Sequence, residues 1–323
     1  MNNNLVSKIA PFINSYLDER VSSGFINHGY LITTLKALDS FIVENHFDNG
    51  SITKELSEKW SIQKDSENIN TRNSRVMVLR KLSNYIASLG FKSYIPLHYG
   101  SQKYDKPYVP TRNELKLFFK TIDNYKFKKK NPKHILYTYS IMFRLYYLLG
   151  LRLNECCRLK REDCNLSYGT ILIRQSKGNK DRSLWLQDDV VQILRDYDSY
   201  MEHNISASRE WFFLRYDQTS FISKTLIDKE FQLFWSLTFP QWDRKKPTVH
   251  SLRHAFVVHR LNDWVEEGND AEKLLPYLSR FLGHSSIEET FYYYHSFDTE
   301  TKAFHNIIEQ NTSLTEETLK WLD

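Results

Sequence analysis

The stretch "FLGHSSIEETFYYYHSF", residues 281–297, sets the problem. Tyr292, Tyr293 and Tyr294 stand between His284 and His295, after a Gly283 that ends an apolar helical pattern. Ser286 and Glu289 have capping-box spacing, which predicts a new helix carrying the three tyrosines. An aromatic run on a helix ordinarily fills a core. A phenol beside imidazoles is also the raw material of a nucleophile. With a pKa near ~10, tyrosine attacks only where a base or cationic surroundings remove its proton. The residues upstream have to decide.

Three further stretches hold chemistry-bearing side chains. In "LLGLRLNECCRLKRED", Arg152 follows Gly150 in a turn between two helical patterns. Asn154 is placed to cap the short helix that carries Glu155. An arginine there is commonly a surface charge, but a helix junction also holds a guanidinium fork rigidly enough to grip a phosphate. In "RQSKGNKDRSLWL", Lys177, Lys180 and Arg182 surround a Gly-Asn turn. That is a solvated hairpin tip, or a turn that carries an ammonium into a groove. In "TVHSLRHAF", His250 and Arg253 are three apart and share a face at the start of a helix. Taken in order the set is Arg, Lys, His, Arg, His, Tyr, with no acidic pair for a metal. A phosphodiester exchange needs such a set: arginines for the non-bridging oxygens, a proton donor for the leaving oxygen, and a nucleophile.

These four stretches resemble, in order and rough spacing over residues ~110–297, the catalytic motifs of the tyrosine recombinase (phage integrase) family. The resemblance assigns Arg152 and Arg253 to the scissile phosphate and Lys177 to protonating the leaving 5′-oxygen. It makes His250 a proton-transfer partner of the nucleophile, His284 a phosphate ligand and Glu155 a supporting acid. The nucleophile it implies is Tyr293, nine residues after His284, with Tyr-Tyr-His in place of the family's Tyr-Thr-His. Tyr292 and Tyr294 then become packing residues. The implied reaction forms a 3′-phosphotyrosyl link that a 5′-hydroxyl reverses, with no cofactor and no catalytic metal. The implied partners are double-stranded DNA with inverted half-sites, a homotetramer on that DNA, and in some members a second recombinase.

Organisation along the chain fits that frame. Residues 1–100 carry 11 basic against 9 acidic residues, 101–200 carry 20 against 11, and 201–323 carry 13 against 19. The basic excess therefore sits in the middle, including "KFKKKNPK" at 126–133, and permits a polyanionic partner. The first hundred residues read as four amphipathic helices, one opening at Ser51 and the last stopping at Gly90. The proline-containing "IPLHYGSQKYDKPYVPT" reads as a linker. Thr111 and Glu114 then form a capping box, a buried helix ends at Gly150, and "GTILIRQ" and "RSLWLQ" alternate as a β-ribbon before further helices from Asp188.

The expected fold is mainly α with a small antiparallel β-sheet. A helical core-binding domain over 1–104 joins a catalytic domain over 105–323, and the resemblance implies that the two form a C-shaped clamp on DNA. A short helix with Leu314, Leu319, Trp321 and Leu322 ends the chain, and the resemblance docks it on a neighbouring protomer; packing in cis is the plainer alternative.

No apolar run approaches the ~18 residues of a membrane span, and "MNNNLVSKIAPFINSY" lacks a signal-peptide layout. Cys156, Cys157 and Cys164 cannot all pair and have no metal-ligand spacing. The expected compartment is the cytoplasm, on the nucleoid, with the thiols as packing groups. No arm-binding domain precedes the first helix, so the expectation is a recombinase that works without distant sites. The stretch "ALDSFIVENH" and the helix around Trp60 resemble mobile-element recombinases more than chromosome-dimer resolvases. The competing readings are a catalytically silent DNA-binding regulator of the same fold, a Xer-like dimer resolvase and a type IB topoisomerase.

Overall fold

The computed structural model describes residues 5–25, 27, 29–47, 49–99, 107–126, 133–174, 181–206, 208–284 and 286–290. The chain divides into two compact units, residues 1–105 and 106–323.

The first unit is a four-helix assembly: α1 (Ala10–Ser22), α2 (Gly29–Glu44), α3 (Lys54–Ser61) and α4 (Ile69–Ser88). The other three pack against α4 through Ile13, Leu17, Leu35, Leu38, Leu56, Leu79, Leu82 and Ile86. Helix α3 opens two residues later than its sequence suggests. Thr53, not Ser51, is the cap, its hydroxyl accepting from the Leu56 amide at 3.1 Å. Helix α4 ends into Gly90, whose φ of +85° no L-residue adopts cheaply. Below the surface, Arg75 donates to Glu67 at 2.8 Å, to the Ile62 carbonyl at 3.0 Å and to the Trp60 carbonyl. It also lies over the Trp60 ring at 4.8 Å.

The second unit begins with α5 (Arg112–Asn124), where Thr111 and Glu114 cap each other reciprocally. It continues through α6 (Lys133–Leu148), α7 (Leu153–Cys157) and a 3-10 turn at Arg161–Asp163. The sheet is β1 (Cys164–Asn165), β2 (Thr170–Ile173) and β3 (Arg182–Trp185), antiparallel in the order β1-β2-β3. The two-strand ribbon read from the sequence thus gains a third, two-residue strand, too short for a period-2 pattern to register. Ile171, Ile173 and Leu184 face the core, while Ser183 and Trp185 face out.

Helices α8 (Asp188–Asn204), α9 (Lys224–Thr238), α10 (Val249–Glu266) and α11 (Ala271–Leu282) follow. Between α8 and α9 the chain runs through turns and isolated bridges, Lys160 with Trp211 and Leu214 with Phe221. Helix α10 packs on α6, and α5 on α9, around Phe118, Phe143, Phe231 and Trp235. Cys156 and Cys157 are buried here, and burial raises the pKa of all three thiols, Cys157 to about 11. That suits packing groups rather than reactive thiolates. No helix among the described residues is long and apolar enough to cross a membrane.

Candidate active site

Two glycines shape the ground on which the charged residues stand. Gly150, between α6 and α7, has φ +57°, and a Cβ on it would lie 2.6 Å from Phe256 Cδ1 and 2.8 Å from Leu282 Cδ2. The turn is therefore pressed against α10 and the end of α11. Gly283 has φ +64° and closes α11, with its amide on the Arg280 carbonyl and that of His284 on the Ser279 carbonyl. A Cβ there would lie 2.8 Å from Arg182 Nη1 and 3.2 Å from Arg152 Nη1. Any side chain at 283 displaces two guanidinium groups.

Arg152 sits at the N-terminus of α7. Its backbone N–H donates to Glu155 Oε2 at 2.8 Å, its Nη1 to Glu155 Oε1 at 2.9 Å and its Nη2 to the Gly283 carbonyl at 2.5 Å. The cap expected of Asn154 is therefore supplied by Glu155 reaching back; Asn154 lies inside the helix. Arg182 does not sit at a solvated hairpin tip. It opens β3 with a side chain only 12% exposed, donates to both Glu155 oxygens at 2.9 Å, and gives its Nε–H to the Phe281 carbonyl at 2.8 Å. Period-2 alternation puts Arg182 on the same face as the buried Leu184, a signal present in the sequence and outweighed there by charge.

Arg253, on α10, is 2% exposed. It donates to the carbonyls of Gly150 and Leu282, the latter at 3.0 Å, and to His284 Nε2 at 2.8 Å. A guanidinium only donates, so Nε2 of His284 carries the lone pair and Nδ1 carries the proton. That Nδ1–H donates to Thr290 Oγ1 at 2.7 Å, and Thr290 is fully buried. Thr290 escaped the sequence reading because nothing marks a threonine six positions on as a partner.

His250 stands edge-on to His254, ring centroids 4.5 Å apart. Desolvation first, then the cations of Arg253, Arg152 and Lys224, push its pKa down to about 4. His250 is nonetheless an exposed residue, so water reaches its ring and the cations are the more durable cause. His254 is buried and goes lower, to about 3, through desolvation and the neighbouring His250 and Arg253. Both rings are therefore neutral near pH 7.

The structure thus brings Arg152, Glu155, Arg253 and His284 into one hydrogen-bonded cluster, with His250 beside it. Lys177, Tyr293 and the C-terminal helix lie outside the described residues. Among the described residues no group of His, Cys, Asp and Glu is arranged to hold a metal. The arrangement supplies fixed N–H donors, cationic charge and a neutral imidazole, which is the equipment for binding and exchanging a phosphodiester.

Comparison with known proteins gives the same class. The profile of the phage integrase family matches residues 111–300. A tyrosine recombinase of Pseudothermotoga lettingae is 26% identical over 265 residues, covering 80% of this chain and 84% of that protein. The fold is shared with the Tn1549 transposon integrase in complex with transposon right end DNA, at TM-score 0.65 and 14% identity over 93% of this chain and 99% of that one. It is also shared with XerH recombinase bound to a palindromic difH substrate, at TM-score 0.62 and 18% identity over 98% and 91%.

Proposed function

The chain belongs to the phage integrase family of DNA strand-exchange enzymes, and from that premise we propose a site-specific tyrosine recombinase with Tyr293 as its nucleophile. The observation that carries the assignment of roles is the junction where Arg152, Arg253 and His284 meet around the Gly150 and Gly283 turns. Arg152 and Arg253 bind the non-bridging oxygens of the scissile phosphate. The phosphate takes the place of His284 as an acceptor for Arg253, and His284, once Nε2 has gained a proton, donates to it as a third ligand. Tyr293 Oη forms a bond to phosphorus while the bond from phosphorus to the 5′-oxygen breaks. The phenolic proton passes to neutral His250, and the ammonium of Lys177 protonates the leaving 5′-oxygen. Glu155 holds Arg152. Attack by a 5′-hydroxyl reverses the step, so the number of phosphodiester bonds is conserved.

The substrate we assign is duplex DNA with two inverted half-sites, bound by a homotetramer with the C-terminal helix docked on a neighbour, in the cytoplasm on the nucleoid. The likeness to the Tn1549 integrase, which is bound to transposon end DNA, supports a mobile-element role. The likeness to XerH on difH supports a second reading, resolution of chromosome dimers.

The test is covalent capture. Duplexes taken from a randomised pool by wild-type protein, then nicked at successive positions, should trap a denaturant-resistant adduct in the presence of EDTA. Tyr293→Phe should abolish the adduct and keep DNA affinity, while Tyr292→Phe and Tyr294→Phe should still form it. An adduct mapped to Tyr292 or Tyr294 overturns the choice of nucleophile. No adduct on any captured duplex overturns catalysis and favours the DNA-binding regulator.

A further inference from the structure

Arg182 has no part in the scheme above, yet its side chain ties three elements of the site together. Its guanidinium plane meets the Glu155 carboxylate along both oxygens, at 2.9 Å each, and its remaining edge meets the Phe281 carbonyl at 2.8 Å. Three elements are joined by one side chain: β3, α7 and the end of α11. A carboxylate gripped by a planar fork cannot turn about its own axis. The same two oxygens accept from the Arg152 backbone and Arg152 Nη1, so the plane set by Arg182 fixes the direction in which Arg152 points. Arg152 in turn holds the Gly283 carbonyl, two residues past Phe281. With Arg253 on the Leu282 carbonyl, three arginines therefore hold the three successive carbonyls that lead into His284.

We propose that Arg182 is a positioning residue for strand transfer. It fixes Glu155, and through Glu155 both Arg152 and the turn before His284, without touching DNA. The reaction it serves is the one proposed above. Its Nε, Nη1 and Nη2 all donate to Glu155 or to the Phe281 carbonyl, and in the scheme above none of these bonds gives way to the phosphate. Lysine cannot replace it, because one ammonium cannot span two carboxylate oxygens and a carbonyl in a fixed plane.

The test uses the full chain with Arg182→Gln, Arg182→Lys, Glu155→Gln and the double variant Arg182→Gln/Glu155→Gln. Four quantities are read: thermal unfolding, DNA affinity, adduct formation at saturating captured nicked duplex, and hydrogen exchange at the Gly283 and His284 amides. The expected result for Arg182→Gln is a loss of about 10²-fold in the saturated rate, since small misplacements of a binding group have that effect. The DNA concentration for half-saturation should stay within about threefold, and the two amides should exchange faster. Arg182→Lys should be little better than Arg182→Gln. The double variant should be no slower than the slower single, because both act through one carboxylate.

Loss of DNA affinity equal to the loss of rate would make Arg182 a phosphate ligand and overturn the proposal. So would additive losses in the double variant, or a rate loss that vanishes once the unfolded fraction is subtracted. If wild-type protein forms no adduct, the recombinase reading fails by itself. Exchange then decides the geometry: unchanged exchange at Gly283 and His284 in Arg182→Gln overturns it, and faster exchange upholds the coupling.

Discussion

Each unit buries an arginine against a glutamate, and the two constructions differ in charge and in what surrounds them. In the first unit one guanidinium meets one carboxylate: Arg75 and Glu67, at 9% and 8% side-chain exposure, with the spare N–H groups on the Trp60 and Ile62 carbonyls. In the second, Arg152 and Arg182 share Glu155, and Arg253 is held nearby by carbonyls and an imidazole. A balanced pair completes a fold and asks for nothing further. Two guanidinium groups on one carboxylate leave positive charge, and holding it among backbone carbonyls is tolerable when an anion arrives to meet it. The difference separates a balanced ion pair from a cluster that keeps net positive charge.

Breaking each construction should give opposite phenotypes. Arg75→Met strands the Glu67 carboxylate and should cost the first unit about 3–5 kcal/mol of stability. Chemical denaturation followed by exchange in α4 would read it. The surviving folded fraction should transfer strands at the wild-type rate, and an unchanged midpoint would mean that the pair contributes nothing. Arg152→Gln should do the reverse, lowering adduct formation by about 10²–10³-fold, the scale seen when a transition-state donor is removed. Its melting temperature should move by only a few degrees. A large melting shift with a proportionate rate loss would erase the distinction between the regions.

Acid should separate them next. The unfolded chain takes up a proton at His254 from about pH 6.5 downward, the folded chain only near 3. The stability this neutral ring confers is present above about 6.5 and is lost as pH falls toward 3. In the first unit, the Arg75 hydrogen bonds and charge hold Glu67 below the ordinary carboxylate range, against desolvation. Its contribution is present above the unfolded carboxylate value of about 4.3 and is lost only as pH falls below that. Between pH 7 and 5, exchange protection should therefore drop in α10 and not in α4, and His254→Gln should reduce the response, leaving the share of His250 and His259, whose pKa values are also lowered to about 4. Equal loss in both helices would contradict the assignment.

The smallest effect serves as a control. Thr53→Ala and Thr111→Ala each remove an N-cap hydroxyl, one in each unit, and should each cost about 1 kcal/mol by denaturation. A much larger cost at one would show that its cap has a tertiary partner.

The chemistry-bearing residue types, their order and the turns that carry them could be read without coordinates. Gly150 and Gly283 mark helix ends, and Thr111 with Glu114 marks a helix start, because such signals are local and span a few residues. The alternation of β2 and β3 was legible for the same reason; the two-residue β1 was not. Arg152, Glu155, Arg253 and His284 were singled out by type and context, whereas Arg182 was read as one more hairpin cation.

What the amino-acid order determined by itself is the family, the mainly helical class and the list of side chains available for phosphoryl chemistry. Tertiary structure alone decided who pairs with whom. Arg152 and Gly283 are 131 positions apart, Arg253 and Gly150 are 103, and Arg182 and Phe281 are 99. Local propensity has no knowledge at such separations. The helices must first pack, and only then do a shared carboxylate, a buried guanidinium and the proton on His284 Nδ1 acquire their places.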